Sequence, residues 1–178
     1  GTDVQLSDGT RRSFVRGTLF RIAEWYGWNG RPNEGCRALA SDIAKGIIEK
    51  EREFDVHVHP GPADSSIFDT VNGNSIAAEM AQEGVRWVAA DKSPGTRKTG
   101  WEMMRRMLKD ATADHPESPG LYVFDSCRQF IRTVPNLPRS DRDPDDADTG
   151  AEDHVADEAR YRVLVRRRAL KALKLQGT

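Results

Sequence analysis

The sequence predicts an α/β fold with a mostly parallel sheet covered by helices on both faces. Two observations lead there. Short β-rich segments alternate with helix-period segments, in the order β, α, β, α, β, α, β, α, long loop, α. The stretch "VRWVAAD" is an apolar run of the buried type, as expected where both faces of a strand are covered. The chain has 178 residues, which suits one domain with a full core. It contains no internal repeat.

Residues 1–13 are polar and read as a turn-like lead-in around "SDGT". A strand follows near 15–28, where Phe14, Leu19, Ile22, Trp25 and Tyr26 give a β-rich, aromatic pattern. "NGRPNEG" is a loop, and Asn33 is a candidate cap for a helix at 34–53 whose stripe is Ala38, Ile43, Ile47 and Ile48. A short strand spans 56–62, with His57 and His59 on one face. A helix at 75–83 carries Ile76, Ala77 and Met80, and "VRWVAAD" comes next. A basic loop then leads into a helix near 98–112. "PGLYVFD" is the following strand, "SCRQFIRTV" a short helix, and 139–152 an acidic loop. The last helix covers 153–173.

The net charge is −1, yet the charges are segregated. Acidic residues gather at 141–158. Basic residues gather at 160–174 and continue in a tail at 166–178. This balance argues against a simple polycation but leaves local basic faces able to hold phosphates. Cys36 and Cys127 are far apart and form no CxxC, which predicts reduced thiols in an intracellular protein. No apolar run approaches the roughly 18 residues needed to cross a membrane, and no signal peptide is evident. The expected compartment is the cytoplasm, of a bacterium or of a host cell.

Three stretches could carry chemistry. In "GPADSSIFD", Asp64 directly follows a predicted strand, and ligands of open α/β sheets bind beyond the carboxyl ends of strands. Asp64 or Asp69 could equally be a turn cap. In "GAEDHVADEARYRVL", Asp153 and Asp157 lie one helical turn apart, with His154 a neighbour of Asp157. The dipole at a helix start favours one or two acids there by roughly 0.3–1 kcal/mol each, but explains less well the further run of Asp141, Asp143, Asp145, Asp146 and Asp148. A solvated acidic loop or a divalent cation would relieve that repulsion. In "KSPGTRKTGWEMMRR", Trp101 and Glu102 stand where a P-loop needs Lys and Ser/Thr, so no nucleotide site is indicated. Lys92, Arg97 and Lys98 at the mouth of a strand suit nucleic-acid phosphates, or a solvated loop. Ser65 and Ser126 lack a nucleophile elbow, Cys127 lacks a poised histidine, and neither cysteine has zinc-finger spacing to a histidine.

"RIAEWYGWNGRPNEGCRALASDIAKGI", "GPADSSIFD", "ADKSPGTRKTGWEMMRRML" and "GLYVFDSCRQFIRTVPNLPRSDRDPDDADTGAEDHVADEARY" occur in that order. Together they resemble the C-terminal nuclease domain of a large terminase subunit, the DNA-packaging motor of tailed bacteriophages and prophages. The resemblance covers about residues 15–165, and "EWYGW", "GPADSSI" and "DHVADEARY" are its most specific parts.

The resemblance implies a ribonuclease H-like α/β fold, a mixed sheet flanked by helices, forming one nuclease domain with its core at 14–165. It also implies a divalent-metal-dependent endonuclease that cuts concatemeric double-stranded DNA. Asp64 matches the family's central-strand carboxylate and Asp157 its last-helix carboxylate. Asp153 and His154 occupy the adjoining variable position. The expected metal ligands are Asp64, Asp157 and Asp153, with His154 marginal, because Mg2+ or Mn2+ prefers oxygen donors. The expected partners are double-stranded DNA, the ATPase domain of the parent chain, the portal and the small terminase subunit. The family's first catalytic aspartate belongs to a strand before residue 14. Asp3 and Asp8 sit in the polar lead-in instead, so the expectation is a chain lacking that first strand. The alternative expectation is therefore a non-catalytic DNA-gripping or portal-docking module of the same fold, inactive as truncated. A resolvase- or integrase-type enzyme is a weaker third, disfavoured by "EWYGW" and the long acidic loop.

Overall fold

The computed structural model describes residues 2–5 and 9–176, with side chains up to Val165 except that of Thr2. Among the described residues the chain is mixed α/β, with five α-helices and three two-stranded sheets, two parallel and one antiparallel. The strands pair in twos rather than in the one mostly parallel sheet that the sequence predicts.

The polar lead-in is a hairpin and not merely a turn. β1 (Thr2–Gln5) pairs antiparallel with β2 (Arg11–Phe14). Asp3 lies in β1 and accepts a hydrogen bond from the Ser13 hydroxyl, while Asp8 lies outside the described residues. The anchors come from far along the chain. The Arg12 guanidinium donates to the Ala111 carbonyl at 3.1 Å and stacks over Tyr122, and Phe14 meets Phe20 and Tyr122 edge-on. Contacts of that range leave no mark on local periodicity.

The strand expected at 15–28 is only three residues long. β3 (Leu19–Arg21) pairs parallel with β6 (Leu121–Val123). Beyond it the backbone finds other partners. Cys127 Sγ donates to the Arg21 carbonyl, Ser126 Oγ donates to the Ile22 carbonyl at 2.7 Å, and the Glu24 carboxylate takes the Gln129 and Phe130 amides at the start of α4 (Arg128–Thr133). A chain so satisfied needs no neighbouring strand.

Helix α1 starts at Ala40 and ends at Glu53, six residues later than its expected start. Asn33 and Arg37 both have positive φ, which no helix tolerates, and Asn33 reaches the Gly150 carbonyl instead of capping. The strand expected at 56–62 contracts to β4 (Gly61–Ala63), directly after Pro60, which brings no N–H to a ladder. β4 pairs parallel with β5 (Trp87–Ala89). Between them, α2 (Ile76–Gln82) is capped by the Ser75 hydroxyl on the Ala78 amide. α3 runs from Thr96 to Asp110, behind Gly95 in the left-handed region. α5 runs from His154 to Gln176, so the tail from 166 continues its backbone. The side chains of that tail lie outside the described residues. No described helix is long and apolar enough to cross a membrane.

The main core sits between α3 and α5. It holds Trp101, Met104, Met107, Leu121, Cys127, Phe130, Val155, Ala159 and Val163. A smaller cluster of Ala44, Met80 and Val85 joins α1 to α2. The two long helices approach closely because Gly100 has no side chain: a Cβ there would lie 2.5 Å from Arg160 Cγ and 3.3 Å from a Leu164 methyl. Gly100→Val is therefore expected to destabilise the fold by about 2 kcal/mol through overpacking, visible as a thermal midpoint lower by several degrees. An unchanged midpoint would contradict this crossing.

Candidate active site

Parallel pairing of β4 with β5 aligns Ala63 with Ala89 and sends both strand ends in one direction. Asp64 follows β4 directly, and its Oδ1 accepts the Ser66 amide at 3.0 Å, capping a short 3-10 helix (Ser65–Phe68). Lys92 follows β5, and its Nζ lies 2.6 Å from Asp64 Oδ2. The turn-cap role and the strand-end position thus belong to the same carboxylate.

The start of α5 faces this point. Asp153, Asp157 and Tyr161 are spaced four apart, on one face of the helix. The Tyr161 hydroxyl donates to Asp64 Oδ2 at 2.9 Å and also faces Asp157 Oδ2 at 3.5 Å. The carboxylates of Asp64 and Asp157 therefore share one phenol hydroxyl. The structure brings together the strand-end and helix-start acids that the sequence singles out.

Besides Lys92, further cations answer these acids and those of the loop. Arg160 is 3 % exposed and lies over the rings of Trp101 and Tyr161, and its Nε donates to Asp157 Oδ1 at 3.0 Å. Arg97, in the first turn of α3, spans a set of acids: its Nε is 2.7 Å from Asp146 Oδ1, its Nη1 3.4 Å from Asp157, and its Nη2 3.6 Å from Asp153. Trp101 Nε1 donates to the same Asp146 oxygen at 2.9 Å. Lys98 pairs with Asp143 at 2.5 Å. Lys92, Arg97 and Lys98, expected to face phosphate, are thus each paired with a carboxylate of this chain.

His154 stands apart. It is well exposed, and its Nδ1 is 3.9 Å from Asp153 Oδ1. His57 and His59 meet edge-on at 5.5 Å, in the wall of a cleft of about 790 Å³ between β3 and β4. Among the described residues, no group of three or more His, Cys, Asp or Glu side chains is placed to hold a metal ion. The donor chemistry of the acids nonetheless fits a hard cation. Asp64, Asp153 and Asp157 offer carboxylate oxygens alone, the type that Mg2+ and Mn2+ select.

Protonation follows the same geometry. Burial raises the Asp64 carboxyl, but the Lys92 ammonium, the Ser66 amide and the Tyr161 hydroxyl outweigh it and hold the group well below the usual carboxylate range. Asp153 goes the other way. Burial first, then the Asp157 charge, push its carboxyl up despite Arg97. Burial, and then the bond to Asp64, push the Tyr161 phenol up, so it remains a donor.

A second cluster fixes where α5 begins. Arg132 Nη2 lies 2.6 Å from Glu152, the Tyr26 hydroxyl donates to Glu152 at 2.9 Å, and Arg132 stacks on Trp28. Burial and Glu152 push the Tyr26 phenol up to about 12. This places the "EWYGW" stretch against the residues just ahead of Asp153. The sequence does not single out Tyr161, Arg160 or Asp146 as parts of this site. Helical spacing from Asp157 offered a signal for Tyr161 and Arg160. Nothing local distinguished Asp146 from its neighbouring aspartates. Comparison with protein-family models, curated proteins and solved structures finds no match.

The opposite shifts of Asp64 and Asp153 have opposite consequences. A lowered carboxyl contributes stability above the ordinary value of about 3.9 and loses it as pH falls through the folded value. A raised carboxyl costs stability at every pH above its folded value. At pH 7, Asp153→Asn is expected to raise the thermal midpoint and Asp64→Asn to lower it. The Asp153→Asn advantage should fade as pH is lowered toward about 4. Thermal melts across that range check the signs, and a lower midpoint for Asp153→Asn at pH 7 would contradict them.

Proposed function

We propose that this chain is the divalent-metal-dependent DNA endonuclease module of a phage packaging terminase, with a ribonuclease H-like fold. One observation carries the reading: Asp64, at the end of a parallel strand, and Asp157, on the first turns of the last helix, converge on the Tyr161 hydroxyl. The order of the motifs in the sequence supports the family, and the parallel strand pairs with flanking helices suit the fold.

Asp64, Asp157 and Asp153 would hold Mg2+ or Mn2+, with His154 at the margin. Such ions supply the activation of water and the stabilisation of the departing oxygen in phosphodiester hydrolysis. The chain's own residues do the positioning. Tyr161 sets the spacing of the Asp64 and Asp157 oxygens. Arg160, locked between two rings, fixes the orientation of Asp157. Arg97 ties Asp153 and Asp157 to Asp146 of the acidic loop. Lys92 and Lys98, about half exposed, stand at the rim where the backbone of double-stranded DNA would pass. The ATPase domain, portal and small subunit would be partners of the parent chain, in the cytoplasm of a bacterial host.

One observation favours a second reading, the non-catalytic DNA-gripping or portal-docking module. Lys92, Arg97 and Arg160 already neutralise much of the acidic set without any ion. Calorimetry with MnCl2 and nicking of supercoiled plasmid separate the two. The nuclease reading expects Mn2+ binding and Mn2+-dependent nicking, both lost in Asp64→Asn and in Asp157→Asn. DNA binding without Mn2+ binding or nicking would overturn it in favour of the module.

A further inference from the structure

We infer that Lys92 competes with a divalent ion for Asp64, and that its release onto a DNA phosphate couples ion binding to DNA binding. The inference rests on the nuclease reading above and concerns the regulation of that site.

The donors around Asp64 differ in what they can give up. Oδ1 is committed to the Ser66 amide, as the cap of the 3-10 helix. Oδ2 takes two donors, the Tyr161 hydroxyl at 2.9 Å and the Lys92 ammonium at 2.6 Å. An oxygen with two lone pairs is then fully used. An ion that binds Oδ2 must displace one of these donors. Tyr161 is buried, fixed in α5 and covered by the Arg160 guanidinium. Lys92 is the reverse. Its side chain is 46 % exposed, and it sits in the stretch between β5 and α3 on a flexible four-carbon stem. The ammonium is the donor that leaves, and the incoming charge of the same sign drives it outward.

The departing ammonium has few other acids to turn to. Asp143 is engaged by Lys98, and Asp146, Asp153 and Asp157 by Arg97 or Arg160. Asp91, next to Lys92, is already engaged by the Ser93 amide and hydroxyl, and a phosphate laid over the site is a further anion of suitable chemistry. Coupling of this kind is reciprocal: the factor by which the ion tightens DNA binding is the factor by which DNA tightens ion binding.

Calorimetry with MnCl2 on the full chain tests the competition, using wild type, Lys92→Met and Lys92→Arg. Lys92→Met removes the competitor and is expected to bind Mn2+ roughly two- to five-fold more tightly, the scale of a half-exposed ion pair. Lys92→Arg keeps a cation and should stay near wild type. Thermal melting confirms that the variants are folded. A second measurement uses fluorescence anisotropy of a short labelled duplex with and without CaCl2, an ion of the same oxygen preference. The wild type should gain affinity for the duplex on adding the ion, and Lys92→Met should lose most of that gain. Equal or weaker Mn2+ binding by Lys92→Met overturns the competition, and an undiminished gain overturns the coupling. If wild type binds Mn2+ and Asp64→Asn does not, the nuclease reading survives either failure. If neither wild type nor Lys92→Met binds Mn2+, that reading falls and this inference with it.

Discussion

Arg160 is almost out of water, held over the rings of Trp101 and Tyr161, with its Nε turned to Asp157. A guanidinium cannot shed its charge at any physiological pH, and a buried cation without a counter-ion costs several kcal/mol. Asp157 is therefore required by the packing of α5 before any chemistry is considered. The stem of Arg160 crosses α3 at Gly100, the position where a side chain would collide with it. The crossing of the two long helices, the buried arginine and the location of Asp157 are one arrangement. Tyr161, next along the helix, then reaches Asp64 from the same platform.

The acids near this platform are not equally compensated. Asp64 has an ammonium, an amide and a phenol, and is held firmly ionised. Asp146 has the Arg97 guanidinium and the Trp101 indole, which outweigh its burial and keep its carboxyl low. Asp153 is mostly buried, shares one guanidinium with two other acids at 3.6 Å, and is pushed up. The least compensated carboxylate of the three is thus the one next to the helix start, raised first by its burial and then by the Asp157 charge.

The sequence conveyed the parts of the site that depend on local order. Asp64 after a strand, and Asp153 and Asp157 one turn apart, are statements about neighbours in the chain, and they hold. The alternation of strand and helix holds for the same reason, with α2 and α3 within two residues of expectation. The failures are where distant residues decide. The strand at 15–28 shrinks because Ser126, Cys127 and α4 take the polar groups of residues 21–24. The hairpin at the start forms with the help of Ala111 and Tyr122, a hundred positions away. Asp146 gains its role from Arg97 and Trp101 on another helix, so it looks no different from Asp145 or Asp148 until the chain is folded.

The acidic loop at 139–152 shows why charge runs are hard to read alone. Its repulsion is not simply left to solvent. Arg97 holds Asp146, Lys98 holds Asp143, and Arg105 donates to the Asp145 carbonyl, so one side of α3 binds the loop. At its other end, Arg132 and Tyr26 clamp Glu152, just before Asp153. A loop pinned at both ends fixes the direction from which α5 starts, and so where Asp153 and Asp157 point. The basic residues of α3 thereby serve the carboxylate centre through the loop. A face that looks built for phosphate in the sequence is, in the folded chain, largely occupied in shaping the acids beneath it.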